Sequence, residues 1–179
     1  MKRTLEEHAE RFSEIAGEYD ETQHSPEYRA CADLVIERAA PEPGDVVLDL
    51  GTGTGAIALA LAPQAARVIG RDISAGMLDR AREKAREDGI DNATFGEGRF
   101  RAPNLDPGVD VDVVGSNFAL HHLGDDEKRG AIEAIAELNP RRFVLGDVML
   151  FGEADADEPF YSPEVDDPAT VGTLADALT

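Results

Sequence analysis

Short apolar runs alternate along the chain with segments whose apolar residues recur at helical spacing. The runs predict β-strands at residues 46–50, 67–70, 93–96, 109–116 and 143–148. The intervening segments predict helices at residues 56–62, 77–88 and 125–137, with a last helix at 167–178. Strands that alternate with helices favour a parallel sheet covered on both faces. The pattern therefore predicts an α/β fold of the doubly wound type.

Two helices are expected before the first strand. Residues 4–19 carry apolar side chains at helical spacing. A second helix is predicted at residues 26–40, because Ser25 followed by proline is typical of a helix start. We expect residues 1–43 to form a helical lid on an α/β domain of residues 44–179, the two making one structural domain.

A glycine-rich turn, GTGTG at residues 51–55, separates the first predicted strand from the following helix. Glycine allows a tight turn and lets a ligand approach the main chain. The N–H groups that open the helix can hold polar ligand atoms. The spacing also fits the dinucleotide pattern G-x-G-x-x-G/A. The turn alone therefore does not decide between two classes of nucleotide-like ligand.

Two aspartates flank this turn at the ends of predicted strands. Asp49 ends the first strand, where a carboxylate is costly to bury without a partner. A cationic ligand would stabilise this buried carboxylate, whereas the carboxylate would repel the pyrophosphate of a dinucleotide. Asp72 ends the second strand, where a carboxylate can accept hydrogen bonds from ribose hydroxyls. The acids therefore favour a positively charged nucleoside over a dinucleotide.

The chain is strongly acidic. It carries 37 Asp and Glu against 17 Lys and Arg, and its net charge is −20. Its only lysines are Lys2, Lys84 and Lys128. Such a surface repels itself unless salt screens it, so we interpret it as an adaptation to a salty cytoplasm. The same charge argues against a nucleic-acid partner, because little basic surface is present to neutralise phosphates.

The composition excludes several other classes of protein. Hydrophobic residues make up 42% of the chain, which is enough for a buried core. No apolar run is long enough to span a membrane, and the first residues lack the apolar stretch of a signal peptide, so a cytoplasmic location is expected. A single cysteine, Cys31, excludes a disulfide framework. No set of His, Cys and Asp has ligand spacing, so no metal site is predicted.

The combined motifs resemble class I S-adenosylmethionine-dependent methyltransferases. The resemblance rests on VVLDLGTGTGAIALALA at 46–62, on the stretch from Asp72 to Leu78, and on VDVVGSNFALHHL at 111–123. It covers residues 12–150 and is strongest toward small, little-characterised members with an N-terminal helical segment. It implies a Rossmann-like fold, a mainly parallel sheet of order 3-2-1-4-5, and S-adenosylmethionine as cofactor.

The resemblance also implies a set of cofactor contacts. Asp49 and the turn would hold the methionine part of the cofactor, and Asp72 the ribose hydroxyls. Asn117 would face the methyl-transfer site. The implied cofactor-binding residues are Asp49, Gly51, Thr52, Gly53, Thr54, Gly55, Asp72, Ile73, Met77, Asn117 and Tyr19. Among them Ile73 and Met77 are expected to pack on adenine, and Tyr19 to close over the cofactor carboxylate.

The sequence departs from the family pattern around the adenine. Arg99 stands where the family has an acid that accepts from the adenine amine, and arginine cannot accept a hydrogen bond. Glu97 or a backbone group is expected to substitute. Arg71 replaces an apolar residue, and we expect it to pair with Asp72.

The family continues beyond the fifth strand with a helix and two more strands, whereas this sequence stops at Thr179. We therefore expect five strands without the usual C-terminal pair, and strand 143–148 at an edge of the sheet. An open apolar edge strand favours pairing with a strand of another chain. Either the acidic segment 153–167 covers it, or a second copy does so in a homodimer.

The predicted activity is methyl transfer from S-adenosylmethionine to a small-molecule acceptor by in-line attack. Asn117 and His121 are the catalytic candidates, although the reaction requires no dedicated acid or base. His24 and Tyr28 are candidates for the acceptor pocket. Two alternatives remain open, namely a truncated, non-catalytic relative that serves as a binding module and, more remotely, a nicotinamide-dependent oxidoreductase.

Overall fold

The computed structural model describes residues 4–22, 25–150 and 166–178. Its strands are β1 Val46–Leu50, β2 Arg67–Asp72, β3 Ala93–Glu97, β4 Val113–Asn117 and β5 Arg142–Gly146. Its α-helices are α1 Leu5–Thr22, α2 Pro26–Ala39, α3 Ala56–Leu61, α4 Ala75–Glu87, α5 Asp125–Glu137 and α6 Val171–Ala177. Short 3₁₀ turns follow α3 at Ala62–Gln64 and β4 at Leu120–His122.

The five strands form one parallel sheet of order β3-β2-β1-β4-β5. At its centre Leu48 of β1 lies between Ile69 of β2 and Val114 of β4. The predicted fold class and strand order are thus confirmed. The chain runs outward from β1 in both directions, and this reversal opens a crevice at the carboxyl ends of β1 and β4.

Alternating residues of the central strands supply two hydrophobic cores, one on each face of the sheet. Val47 and Val68 pack with Ile57 and Leu61 of α3 on one face. Leu48, Ile69 and Val114 pack with Ile135 of α5 on the other. The sheet is therefore rigidly held at the strands whose ends form the crevice.

Helix α1 is fixed across the crevice by specific contacts with α4 and the glycine turn. A Cβ on Gly76 would lie 2.8 Å from the Ser13 Cα, so the two helices meet almost backbone to backbone. Asp20 accepts hydrogen bonds from Thr54 Oγ1 at 2.5 Å and from Lys84 Nζ at 3.0 Å. The assignment of residues 1–43 as a lid stays a prediction.

Several predicted element bounds differ from the structure. The strand predicted at 109–116 begins only at Val113, because the Asp112 side chain accepts from Val46 N at 2.8 Å and the preceding residues only approach the sheet. The strand predicted at 143–148 ends at Gly146, after which Asp147 turns its carboxylate back to the main chain. The last helix begins at Val171, where Thr170 caps it through Thr173 N.

The segment before α6 returns to the turn that follows β4. Asp167 N donates to His121 O at 2.6 Å, and Leu150 forms a single parallel bridge with Thr170. The buried Lys128 ammonium donates to the Leu123 carbonyl at 2.6 Å and also to the Asp167 carbonyl. The predicted cover of the β5 edge by segment 153–167 falls almost wholly outside the described residues, and pairing with a second copy stays a prediction. No helix in the described ranges is long and apolar enough to cross a membrane.

Candidate active site

A cavity of about 530 Å³ lies at the carboxyl ends of β1, β2 and β4, beneath α1. This volume is within the range of ligand pockets. Most of the sequence-predicted cofactor residues line it: Tyr19, Asp49, Gly51, Thr52, Gly53, Thr54, Asp72, Ile73, Met77 and Asn117. Tyr28 also lines the cavity, as predicted, whereas His24 lies outside the described residues.

The glycine turn is held against the end of β2. Gly51 N and Thr52 N both donate to the Arg71 carbonyl, at 2.8 and 3.0 Å. Gly51 has φ +69°, and a Cβ there would lie 2.3 Å from Ala119 Cβ, so only glycine fits. Gly53 has φ +53° but meets no atom within 4 Å, so open space lies beside its backbone. The turn thus presents bare main chain to the cavity.

Gly55 is the one predicted turn residue that does not line the cavity. Its φ is +84°, and a Cβ there would lie 3.1 Å from Ala81 Cβ and 3.3 Å from the Phe95 ring. Its small size lets α4 and β3 pack closely behind the turn. The contact of Gly55 with the cofactor that the resemblance implies stays a prediction, and the geometry in addition gives this residue a packing role.

Asp49 is a buried carboxylate under the turn, only 1% exposed. Burial raises its pKa to about 6, opposed by the hydrogen bond from Thr52 Oγ1 at 2.6 Å and reinforced by the charge of Asp72. No cationic side chain among the described residues pairs with it. A positively charged ligand group would stabilise its ionised form.

Asp72 is held by the main chain around it. Its Oδ2 accepts from Gly53 N at 2.8 Å and its Oδ1 from Ser74 N at 2.9 Å. Burial raises the pKa of this carboxyl, and these backbone hydrogen bonds oppose the rise. Each carboxylate oxygen has a second lone pair, so Asp72 can accept two further hydrogen bonds from a ligand that lies in the cavity.

The prediction that Arg71 pairs with Asp72 is wrong. The guanidinium turns under the following loop and donates to the carbonyls of Gly70, Pro103 and Asn104, at 2.8–3.1 Å. Three carbonyls satisfy the buried cation better than the carboxylate, which the main chain already engages. The loop that Arg71 holds, residues 98–104, contributes a wall of the cavity.

The loop at residues 98–104 supplies the residues around the expected adenine position. Arg99, Phe100 and Ala102 line the cavity, whereas Glu97 does not. Glu97 is therefore not placed to replace the missing acid. The main chain of Arg99 is tied to that of Ala102 by two hydrogen bonds of 2.9 and 3.0 Å, and both residues line the cavity.

Asn117 and two residues of α2 meet at the other end of the cavity. Asn117 is buried, and its Oδ1 accepts from Cys31 Sγ at 3.3 Å. Tyr28 lies beside it, and burial raises the pKa of the Tyr28 hydroxyl. Burial likewise raises the pKa of Tyr19 on α1, so both phenols stay protonated hydrogen-bond donors.

His121, the other catalytic candidate, does not line the cavity, but its neighbour His122 does. His121 Nδ1 pairs with the Asp147 carboxylate, and His122 Nδ1 lies 2.9 Å from Asp166 Oδ1. We refer to His121, His122, Asp147 and Asp166 as the histidine cluster. The sequence reasoning missed it, because Asp147 follows β5 and Asp166 precedes α6, and no spacing connects them to the histidines.

A parallel sheet of this order, with a glycine turn and acids at the ends of its central strands, defines the Rossmann-like class of α/β domains. Within it, residues 47–139 match the model of a methyltransferase domain family, and the chain belongs to this family. The resemblance to class I methyltransferases is thereby confirmed. The family uses S-adenosylmethionine, which agrees with the predicted cofactor.

Relatives of the chain include methyltransferases that are themselves uncharacterised. One from Geobacillus sp. (strain WCH70) is 33% identical over 147 residues, which cover 79% of this chain and 65% of the relative. One from Geobacillus kaustophilus is 30% identical over 180 residues, 97% of this chain and 77% of the relative. The chain spans 65%, 57% and 59% of the length of three such relatives.

Solved structures share the fold. DhpI in complex with S-adenosylhomocysteine has a TM-score of 0.72 at 24% identity, covering 97% of this chain and 85% of DhpI. A methyltransferase bound to the Haloferax volcanii Trm112 activator has a TM-score of 0.73 at 22% identity, covering 93% and 74%. These likenesses support the architecture described above.

Proposed function

We propose that the chain binds S-adenosylmethionine in the cavity and transfers its methyl group to a small-molecule acceptor. The observation that carries this proposal is a pair of carboxylates, the buried Asp49 and the half-buried Asp72, on either side of a bare glycine turn. A buried carboxylate whose pKa rises to about 6 suits a ligand that brings positive charge. S-adenosylmethionine carries two such groups, an ammonium and a sulfonium.

The proposed pose follows the geometry of the cavity wall. Asp49 faces the charged methionine part, which passes over the open backbone at Gly53. Asp72 accepts from the ribose hydroxyls through its remaining lone pairs. Ile73 and Met77 pack on the adenine, whose amine is left to backbone groups of the loop at 98–104.

When bound, the cofactor supplies an already activated methyl group. The chain's own residues then provide proximity, alignment and the exclusion of water. The acceptor enters at the Asn117 end, where the Tyr28 hydroxyl and the Asn117 amide can orient a polar group in line with the methyl, while Tyr19 closes over the cofactor carboxylate. His121 does not line the cavity, so the proposed pose gives it no contact with the acceptor.

A small acceptor is favoured by the shape and lining of the site. Helix α1 crosses the cavity, and aromatic rings from four segments line it, among them those of Phe12, Tyr28 and Phe118. Such a site encloses a compact molecule rather than a polymer. A lid role for residues 1–43 belongs to the same proposal, since Asp20 joins α1 to Thr54 of the turn.

Calorimetric titration tests the cofactor directly. S-adenosylmethionine and S-adenosylhomocysteine should bind with a stoichiometry of one in molar KCl, whereas NAD should not. Tighter binding of NAD would contradict the proposal and favour an oxidoreductase. If S-adenosylmethionine binds tightly but no acceptor from a panel of small molecules causes S-adenosylhomocysteine to form, the result would instead favour a binding module.

A variant pair tests the ribose contact. Asp72→Ala should weaken S-adenosylhomocysteine binding about 10–100-fold, because hydrogen bonds to a charged group contribute about 1.5–3 kcal/mol. Asp79→Ala is the matched control, since this α4 carboxylate is 77% exposed and pairs with Arg82. Equal affinity in a folded Asp72→Ala variant would exclude the assignment.

A further inference from the structure

The histidine cluster brings three potential metal ligands together beside the cavity. The candidate ligand atoms of His121, His122 and Asp166 all lie within 4.8 Å of one another. Asp166 Oδ1 is 3.6 Å from His121 Nε2 and 2.9 Å from His122 Nδ1. The side chains are largely buried, with exposed fractions of 9%, 21% and 12%. Two imidazoles and a carboxylate thus converge where little water reaches.

Asp147 orients the first of these imidazoles. It pairs with His121 Nδ1 and also accepts from His121 N at 3.1 Å. Nε2 of His121 is therefore the nitrogen that faces Asp166. A carboxylate behind the far nitrogen of a histidine is the usual support for a metal-bound imidazole, because it fixes both tautomer and ring orientation.

The second imidazole has a nitrogen whose surroundings indicate a ligand. His122 Nδ1 is buried, and no hydrogen bond from the described part of the chain reaches it. Asp166 Oδ1 lies only 2.9 Å away, but the two atoms are not aligned as donor and acceptor. A ring nitrogen and a carboxylate oxygen this close, with no hydrogen bond between them, are the arrangement expected when both face a common cation.

The backbone holds Asp166 in this position. The adjacent Asp167 N donates to His121 O at 2.6 Å, and the Asp167 carbonyl accepts from the buried Lys128 ammonium. The segment before α6 is therefore fixed to the turn that carries both histidines. A ligand set fixed by backbone contacts loses little conformational entropy when an ion binds.

We propose that His121 Nε2, His122 Nδ1 and Asp166 bind one Zn²⁺ ion at the cavity wall, in departure from the sequence-based prediction of no metal. Imidazole nitrogens suit Zn²⁺, whereas Mg²⁺ and Ca²⁺ take oxygen ligands. Ligands about 2.0–2.1 Å from a tetrahedral Zn²⁺ lie about 3.4 Å apart. The Asp166 oxygen lies at comparable distances, 3.6 and 2.9 Å, from the two imidazole nitrogens. Three protein ligands leave the fourth position open to water or a bound molecule.

The test is a Zn²⁺ titration of chelator-treated protein by calorimetry, without any cofactor. Excess Mg²⁺ and molar KCl in the buffer occupy the many surface carboxylates. We expect one Zn²⁺ per chain and a rise in Tm, because the ion binds only the folded cluster. Absence of a stoichiometric site under these conditions would overturn the proposal, whether or not the chain binds S-adenosylmethionine.

Variants identify the ligands. Loss of a residue that only orients a ligand typically weakens metal binding about 10–100-fold. His122→Ala and Asp166→Asn each change a ligand itself and should weaken Zn²⁺ binding by more than this. Asp166→His, which puts another Zn²⁺ ligand at this position, should recover most of the affinity. Asp126→Asn, on the exposed face of α5, is the matched control and should bind Zn²⁺ as the unaltered chain does. Undiminished binding by Asp166→Asn would exclude this ligand set, and circular dichroism establishes that each variant is folded.

Discussion

The glycine turn and the histidine cluster, which reaches the cavity through His122, border the same cavity but are assembled differently. The turn, Asp49 and Asp72 come from one continuous strand–turn–helix–strand unit of the chain. The histidine cluster joins the end of β4, the end of β5 and the segment before α6. The first region is held by local backbone geometry, and the second by side chains that meet only in the folded protein. Local geometry can be read from a sequence, whereas long-range convergence cannot.

The largest effect expected at the glycine turn is that of Gly51→Ala. A methyl group would lie 2.3 Å from Ala119 Cβ, at a φ of +69° that alanine resists. Overpacking and left-handed backbone together should cost about 3–4 kcal/mol of unfolding free energy. Gly53→Ala has a similar φ but open space, so about 1–2 kcal/mol is expected. Urea unfolding of both variants measures the difference, and equal losses would show that the contact with Ala119 is unimportant.

A smaller effect is expected from Asp49→Asn. The folded pKa of Asp49 is about 6, above its unfolded value near 3.9, so the folded chain binds this proton more tightly. Stability from this group is therefore present below about pH 4, falls as the pH rises to about 6, and is flat above. Relative to the unaltered chain, Asp49→Asn should gain up to about 3 kcal/mol between pH 4 and 7.

Asp49→Asn also separates stability from binding. The variant should lose affinity for S-adenosylmethionine at pH 7 even as its unfolding free energy rises, because the charge that destabilises the empty site is the one that attracts the ligand. Urea unfolding across pH and calorimetry at pH 7 measure the two effects. A stability difference that does not change with pH would contradict the raised pKa.

In the histidine cluster, Asp147→Asn sharpens the comparison. The asparagine oxygen can still accept, but the charge that stabilises the hydrogen bonds from His121 is gone. We expect a cost of about 1–2 kcal/mol in urea unfolding, together with a loss of about 10–100-fold in Zn²⁺ affinity. Asp126→Asn on α5 is an exposed control with the same change of charge. A variant with unaltered Zn²⁺ affinity would show that Asp147 does not orient a ligand.

The smallest effect is expected where α1 meets the turn. Asp20→Asn weakens the contacts with Thr54 and Lys84, which are partly exposed. Pairs of this kind contribute about 0.5–1 kcal/mol, less in high salt. Thermal unfolding in dilute buffer and in molar KCl should show the loss shrink as salt rises. A loss that stays constant would indicate a role in packing rather than charge.

The outcomes for single residues show why the sequence succeeds at one region and not at the other. Residues 46–50 and 125–137 were predicted within their observed bounds, because apolar period, turn glycines and acidic first-turn residues all agree there. Arg71 was assigned to the wrong partner, because the carbonyls that bind it belong to a loop whose path depends on tertiary contacts. His122 and Asp166 gave no local signal at all.

Lys128 has a further consequence for how the molecule opens. Its ammonium bridges the turn after β4 and the segment before α6 through the Leu123 and Asp167 carbonyls. Breaking either contact leaves the buried ammonium of Lys128 short of acceptors. Neither segment can therefore move away from Lys128 without the other. Two amides report on this motion, Asp167 N, which donates to His121 O, and Thr173 N, which donates to Thr170 Oγ1. Both should exchange with deuterium through one shared opening event. One cation thereby converts two surface segments into a single cooperative unit.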